Sequence, residues 1–164
     1  GQESIAAYLQ AVEGVWKDYT EQGGHALEDF AAFCYHQPFT KMAHKAHRHL
    51  LDYCGHDAGK EVVARAVAGT TAYNAVIGNS YTASMYLGLA ALLDQADDLA
   101  GRPVGFLSYG SGSVAEFFAG TVVAGYREHL RTRAHREAIG RIGISALHRR
   151  SFQSVAYSQL ELAG

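Results

Sequence analysis

Apolar residues recur at spacings of three and four from Ser4 to Tyr19, as Ile5, Tyr8, Leu9, Val12, Val15, Trp16 and Tyr19. That period predicts an amphipathic helix, capped by Ser4 and ended near Gly23 and Gly24. Leu27 to Phe30 then leads into a continuous apolar run, Ala31 to Tyr35, which reads as a strand delivering His36 at its carboxyl end. Pro38 sets the start of a helix on which Met42, Ala46 and Leu50 fall at helical spacing. A turn at Gly55 and His56 follows, and Asp57 is placed to cap a second short helix through Val67.

Further along, Gly78 to Leu93 reads as a loop entering a buried helix, with Met85, Leu89, Leu92 and Leu93 on one side. Pro103 to Tyr109 is an apolar run long enough for a central strand and stops at Gly110, Ser111, Gly112 and Ser113. Val114 to Val123 follows as a paired strand, unless Ala115 to Phe118 form a turn of helix. Dense mixed charge from Tyr126 to Ile139 predicts a solvated helix face, and Ile144 to Leu162 a closing helix. The order of elements is a three-layer α/β pattern, helices around a small sheet, in a single domain over residues 1–164. So few strands leave an edge or a face exposed, and the expectation is a partner that covers it.

Composition narrows the function classes. An apolar content of 48% is enough for a core, no stretch is suited to span a membrane, and a net charge of −2 predicts no general affinity for nucleic acid. No signal peptide is apparent, and the start at Gly1, inside a helix lead-in, leads us to expect a preceding segment. Cys34 and Cys54 are too few for a disulfide framework and read as reduced core residues of a cytoplasmic protein.

Three constellations carry candidate chemistry. His36 stands where open α/β sheets gather ligands, with Lys41 and Lys45 beyond it on one helix face. Two ammonium groups there suit a phosphate or a carboxylate, or else form an ordinary solvated face. In Gly78, Asn79, Ser80 and Tyr81, glycine lets the backbone approach a ligand and the asparagine amide can donate to a carbonyl oxygen; an Asn helix cap is the alternative. Ser108 to Ser113 expose glycine N–H groups suited to an oxyanion, or form a tight hairpin. The His44, His47 and His49 cluster lacks the spacing of a ligand pair, so no metal is expected.

Taken together, YHQPFTKM, IGNSYTAS, LGLAALL and GFLSYGSGSVAEFFAG stand in the order seen in 3-hydroxy-3-methylglutaryl-CoA synthases, and the chain resembles that family from its first helix to about Leu130. The resemblance implies a thiolase-like fold of two similar halves, this being the carboxyl-terminal one, paired with an amino-terminal half. It implies an acyltransferase that condenses a cysteine-bound acetyl group from acetyl-CoA with acetoacetyl-CoA, in the mevalonate pathway of isoprenoid biosynthesis. By matching motif, His36 is similar to the family's active-site histidine, Asn79, Tyr81 and Ser111 to its substrate-binding residues, and Lys41 and Lys45 to lysines toward the coenzyme A arm. Coenzyme A thioesters are substrates, and no cofactor is implied. The nucleophilic cysteine and catalytic glutamate belong to the other half.

Two departures accompany the match. Gln37 stands where the family carries a smaller or branched residue, and the likeness fades after Arg131. A branch of the same family works in polyketide β-branching on acyl-carrier-protein-bound chains, and the basic run Lys41, His44, Lys45, His47 and Arg48 suits an acidic carrier helix as well as coenzyme A phosphates. A non-catalytic binding or dimerisation domain is the third reading. A homodimer without nucleic acid or membrane partners is expected.

Overall fold

The computed structural model describes residues 2–110 and 112–142. Among the described residues, those up to Leu130 form one compact unit and 131–142 belong to a second. In the second unit, 132–142 is helical, and the closing helix expected at Ile144 to Leu162 lies outside the described residues.

In the first unit, helix α1 (Gln2–Glu21) buries Tyr8, Val12 and Trp16, spaced four apart, against the sheet. It begins before Ser4, which therefore lies in the first turn and not at the cap. Its end is the expected glycine stop: Gly23 takes φ +80°, its N–H donates to Thr20 O, and the Gly24 N–H donates to Tyr19 O. A short 3-10 turn, Leu27–Asp29, leads into strand β1 (Ala32–Tyr35).

Helix α2 (Thr40–Tyr53) buries Met42, Ala46 and Leu50 on one face, and α3 (Lys60–Val67) buries Val63 and Val67. Asp57 does not cap α3; its carboxylate accepts the Gly59 N–H at 2.8 Å and shapes the preceding turn. Between α3 and the next long helix lie a 3-10 turn, Ala68–Thr70, and a short helix α4 (Ala72–Ile77), neither of which the hydrophobic pattern announces. Helix α5 (Ala83–Gln95) buries Met85 and Leu92.

Strands β2 (Pro103–Gly110) and β3 (Val114–Thr121) form an antiparallel hairpin, which settles the choice at Ala115 to Phe118 in favour of strand. The sheet order is β1-β2-β3, with β1 parallel to β2. Alternation along the strands divides the core into layers. Phe33, Tyr35 and Leu107 pack with α1, α2 and α3, whereas Ala32, Cys34, Val104 and Phe106 pack with α5. The expected three-layer arrangement, helices around a mixed sheet, is what forms.

Gly105, at the centre of β2, is required by close approach. A Cβ there would stand 2.8 Å from Phe117 Cζ and 2.9 Å from Phe33 Cδ1, and both rings belong to one aromatic cluster with Trp16 and Phe30. Gly105→Ala is therefore expected to destabilise the protein by about 1–3 kcal/mol, the usual range for overpacking. A lower urea midpoint at unchanged slope checks it, and an unshifted midpoint contradicts it.

Candidate active site

His36 follows directly on β1 and extends its ladder: its N–H donates to Leu107 O at 2.8 Å and its carbonyl accepts the Tyr8 hydroxyl at 2.9 Å. His36 is only 7% exposed and its ring lies beside Tyr8 and Tyr109, with centroid separations of 6.1 and 6.2 Å. Its Nδ1 lies 3.0 Å from the carbonyl oxygen of Tyr81. A carbonyl can only accept, so Nδ1 carries the proton and Nε2 is the nitrogen left to exchange one. Burial lowers the basicity of this imidazole below the ordinary histidine range, and the bond to Tyr81 partly opposes that by favouring the charged form.

The carbonyl that faces His36 is held by a tight loop between α4 and α5. Gly78 takes φ +82° as the chain leaves α4, and the Asn79 side-chain oxygen accepts the Tyr81 N–H at 2.9 Å. That bond supports Tyr81 at φ +55°, a left-handed conformation uncommon outside glycine. Asn79 thus uses its oxygen to shape the loop, which leaves the NH₂ group as its donor toward a ligand. Tyr81 contributes its backbone to His36 while its side chain is 76% exposed.

Behind the loop lies a buried polar layer. The Ser84 hydroxyl accepts the Gln37 N–H at 2.8 Å and donates to Tyr81 O at 2.7 Å. The Gln37 amide donates to Thr70 O at 3.1 Å, and the Asn74 amide to Ser84 O at 2.9 Å. Gln37 is fully buried and belongs to this supporting layer. Gly88 admits the layer: a Cβ there would stand 3.3 Å from Thr70 O and 3.5 Å from Gln37 Nε2.

His36, Asn79 and Tyr81 share a cavity of about 400 Å³ with Ser4, Thr82, Tyr109, Gly110, Gly112 and Ser113. The β2–β3 turn therefore reaches the cavity, with Gly112 at φ +78° and Ser113 at φ +58°. Ser111 itself lies outside the described residues. Tyr8 and Tyr109 escaped the motif search because each sits in an ordinary apolar pattern. Tyr8 belongs to the buried stripe of α1, and no local signal marks a contact 28 residues away.

The basic run divides in two. Lys41, Lys45 and Arg48 are exposed on α2, with Lys45 Nζ 6.0 Å from the Phe39 ring centroid. Neither lysine is among the described residues that line the cavity. His47 does not belong to the surface at all: it is 2% exposed and its Nδ1 lies 2.8 Å from the Tyr35 hydroxyl. His49 pairs with Glu13 at 2.7 Å. The free thiols are not poised nucleophiles, since burial pushes Cys34 up to about 12 and raises Cys54.

A mixed sheet between helical layers, with a histidine at a strand end facing an asparagine loop and a glycine hairpin, is the architecture of one half of a thiolase-like condensing fold. The chain belongs to the hydroxymethylglutaryl-CoA synthase family: residues 51–142 match the family described as hydroxymethylglutaryl-coenzyme A synthase C terminal. That match continues past Leu130, where the motif resemblance ends, and it begins after His36. The chain is 40% identical over 138 residues to the hydroxymethylglutaryl-CoA synthase of Enterococcus faecalis, covering 82% of this chain and 35% of that protein. It is 30% identical over 135 residues to the polyketide biosynthesis 3-hydroxy-3-methylglutaryl-ACP synthase PksG of Bacillus subtilis, covering 79% and 32%. A crystal structure of an HMG-CoA synthase complexed with CoA superposes with a TM-score of 0.73 at 36% identity, covering 86% and 36%. The chain thus spans about a third of the length of these relatives, within their carboxyl-terminal part.

His47 makes a pH prediction with a definite sign. Burial, aided by the charge of His44, lowers it to about 4 from an unfolded value of 6.5. Its contribution is full above pH 6.5 and is lost as the pH falls toward 4, because only the unfolded chain binds the proton in that window. The loss is on the order of 3 kcal/mol. Denaturant titrations from pH 7 to 4 are expected to show this decline, and His47→Gln to flatten it; an equally steep decline in the variant would contradict the assignment.

Proposed function

We propose that this chain is the carboxyl-terminal catalytic half of a hydroxymethylglutaryl-CoA synthase that condenses acetyl-CoA with acetoacetyl-CoA in the cytoplasmic mevalonate route to isoprenoids. The observation that carries the reading is His36, with Nδ1 committed to the Tyr81 carbonyl inside a cavity shared with Asn79. In this reaction an acetyl group held as a thioester on a cysteine of the amino-terminal half loses an α-proton to that half's glutamate. The resulting carbanion attacks the ketone carbon of acetoacetyl-CoA. A carbon–carbon bond forms as the ketone π bond breaks, and the oxygen takes up a proton. Water then cleaves the cysteine thioester, releasing the product and the thiol.

His36 suits the acceptor side of that step. Its Nδ1–H bond to Tyr81 is satisfied in both the neutral and the charged ring, so gaining or losing a proton changes only Nε2. A protonated Nε2 donates to the ketone oxygen as negative charge develops there. Asn79 binds the acyl group beside it, Tyr81 completes the wall, and Ser111, in the glycine-serine motif, contributes to binding the same group. Lys41 and Lys45 receive the phosphate-bearing arm of coenzyme A from the exposed face of α2. The complete protein works as a homodimer.

A second reading, an HMG synthase of polyketide β-branching with carrier-bound substrates, is favoured by the exposed Lys41, Lys45 and Arg48 and by the likeness to the Bacillus protein. Incubating the complete protein with acetyl-CoA and acetoacetyl-CoA, then with the same acyl groups on carrier protein, separates the two. Consumption of the free coenzyme A thioesters is expected; turnover of carrier-bound substrates alone establishes the second reading.

His36→Ala is expected to lower condensation by roughly a hundred- to ten-thousand-fold while sparing acetylation of the cysteine in the other half. Condensation near the normal rate removes His36 from the mechanism, and failure of acetylation as well moves it to the first half-reaction. Replacing both Lys41 and Lys45 by Ala is expected to raise KM for the thioester and leave kcat within a few-fold. A collapse of kcat at constant KM contradicts a role in binding the arm.

A further inference from the structure

We propose that Ser84 is a positioning residue that fixes the imidazole tautomer of His36 through the backbone carbonyl of Tyr81. The inference deepens the reading of His36 as the acceptor-side group, but rests on hydrogen-bond directions that hold whatever the substrate. Ser84 is fully buried at the start of α5, immediately behind the loop that faces the histidine.

Each bond in the chain has a forced direction. The Gln37 backbone N–H can only donate, so the Ser84 oxygen, 2.8 Å away, accepts there and turns its own proton to Tyr81 O at 2.7 Å. The Tyr81 carbonyl can only accept, and it also receives the Ser84 N–H at 3.1 Å. The His36 Nδ1 at 3.0 Å from the same oxygen therefore carries the ring proton. The sequence runs from the residue next to His36, through Ser84 and Tyr81, back to the His36 ring. It closes a loop that ties the strand end to the start of α5.

Geometry at Tyr81 supports the same role. Its left-handed φ of +55° aims the carbonyl at His36, and two independent anchors hold it there: Asn79 on the Tyr81 N–H, and Ser84 on the carbonyl. The Ser84 carbonyl is in turn held by Asn74 at 2.9 Å. The unperturbed histidine side chain favours the tautomer with the proton on Nε2, so an outside partner is needed to invert that choice. The groups packed on the ring from the other elements, Tyr8 on α1 and Tyr109 on β2, present aromatic faces to it, and the Tyr8 hydroxyl is spent on the His36 carbonyl.

The test is a tautomer measurement on the complete protein labelled with ¹⁵N-histidine, with His36 assigned by the signal missing from His36→Ala. Two-bond ¹⁵N–¹H correlations at pH 7.5 are expected to show the proton on Nδ1. In Ser84→Ala the population is expected to move toward the Nε2–H form, and condensation kcat to fall about ten-fold with KM within about two-fold and acetylation unchanged. Ser84→Cys, which fits the same space and donates weakly, gives an intermediate mixture and serves as the probe where Ser84→Ala does not fold. A wild-type ring protonated on Nε2, or a folded variant whose ring keeps the wild-type spectrum, overturns the proposal. A tautomer shift in a protein that does not condense refutes only the functional reading, and normal condensation with an unshifted tautomer refutes only this one.

Discussion

The position of His36 depends on the burial of strand β1 on both faces. Phe33 and Tyr35 are held by α1, α2 and α3, and Ala32 and Cys34 by α5, so the strand cannot slide without exposing one set or the other. A slip of one residue would exchange aromatic rings for small side chains across the sheet. The parallel register with β2 adds to this, since the pairing of Tyr35 with Leu107 leads directly into the His36 N–H bond to Leu107 O. The histidine is thus placed by the core and not by the loop in which the cavity opens.

The layer behind the ring is a costly one. Gln37, Asn74 and Ser84 are buried, and the side-chain oxygens of Gln37 and Asn74 have no donor among the described residues. Each unsatisfied carbonyl forfeits about 1–3 kcal/mol relative to a fully bonded one. Apolar residues of similar volume would pack there at less expense, but they would take the hydroxyl donor from Tyr81 O and leave the Gln37 N–H without its acceptor. A polar layer that is dispensable for packing and specific in its bond directions is the expected signature of a site that holds something in place. Gly88 belongs to the same layer, because a side chain at that point would press on the Thr70 carbonyl to which Gln37 and Asn74 donate.

Much of this was legible in the amino-acid order. The four-residue spacing of Tyr8, Val12 and Trp16, the apolar run ending at His36, and the two runs around Gly110 to Ser113 each correspond to an element of the fold. The boundaries were less so: Ser4 and Asp57 have cap chemistry, yet Ser4 lies inside a helix and Asp57 closes a turn. Short α4, at six residues, spans too few turns to register a period. His47 shows the same limit from the other side. Its neighbours Lys45 and Arg48 are exposed, and only the rotation of α2, set by Met42, Ala46 and Leu50, turns this one basic side chain onto Tyr35. Site geometry was legible as motifs but not as bonds, because the Tyr81 carbonyl and the Tyr8 hydroxyl reach His36 across 45 and 28 residues.

The two thiols bear on how chemistry is divided in this fold. Cys34 lies one position before Tyr35 in the strand that leads into His36, but it packs in the α5 layer, where burial keeps it protonated. The His36 ring lies instead beside Tyr8 and Tyr109, which belong to the α1 side of the sheet. Neither thiol lines the cavity that His36 shares with Asn79 and Tyr81. The exposed Tyr81 and the glycine turn at Gly110 and Gly112 line it instead. A cavity with a rigidly held histidine and no thiol in its lining fits a chain that spans about a third of its relatives' length.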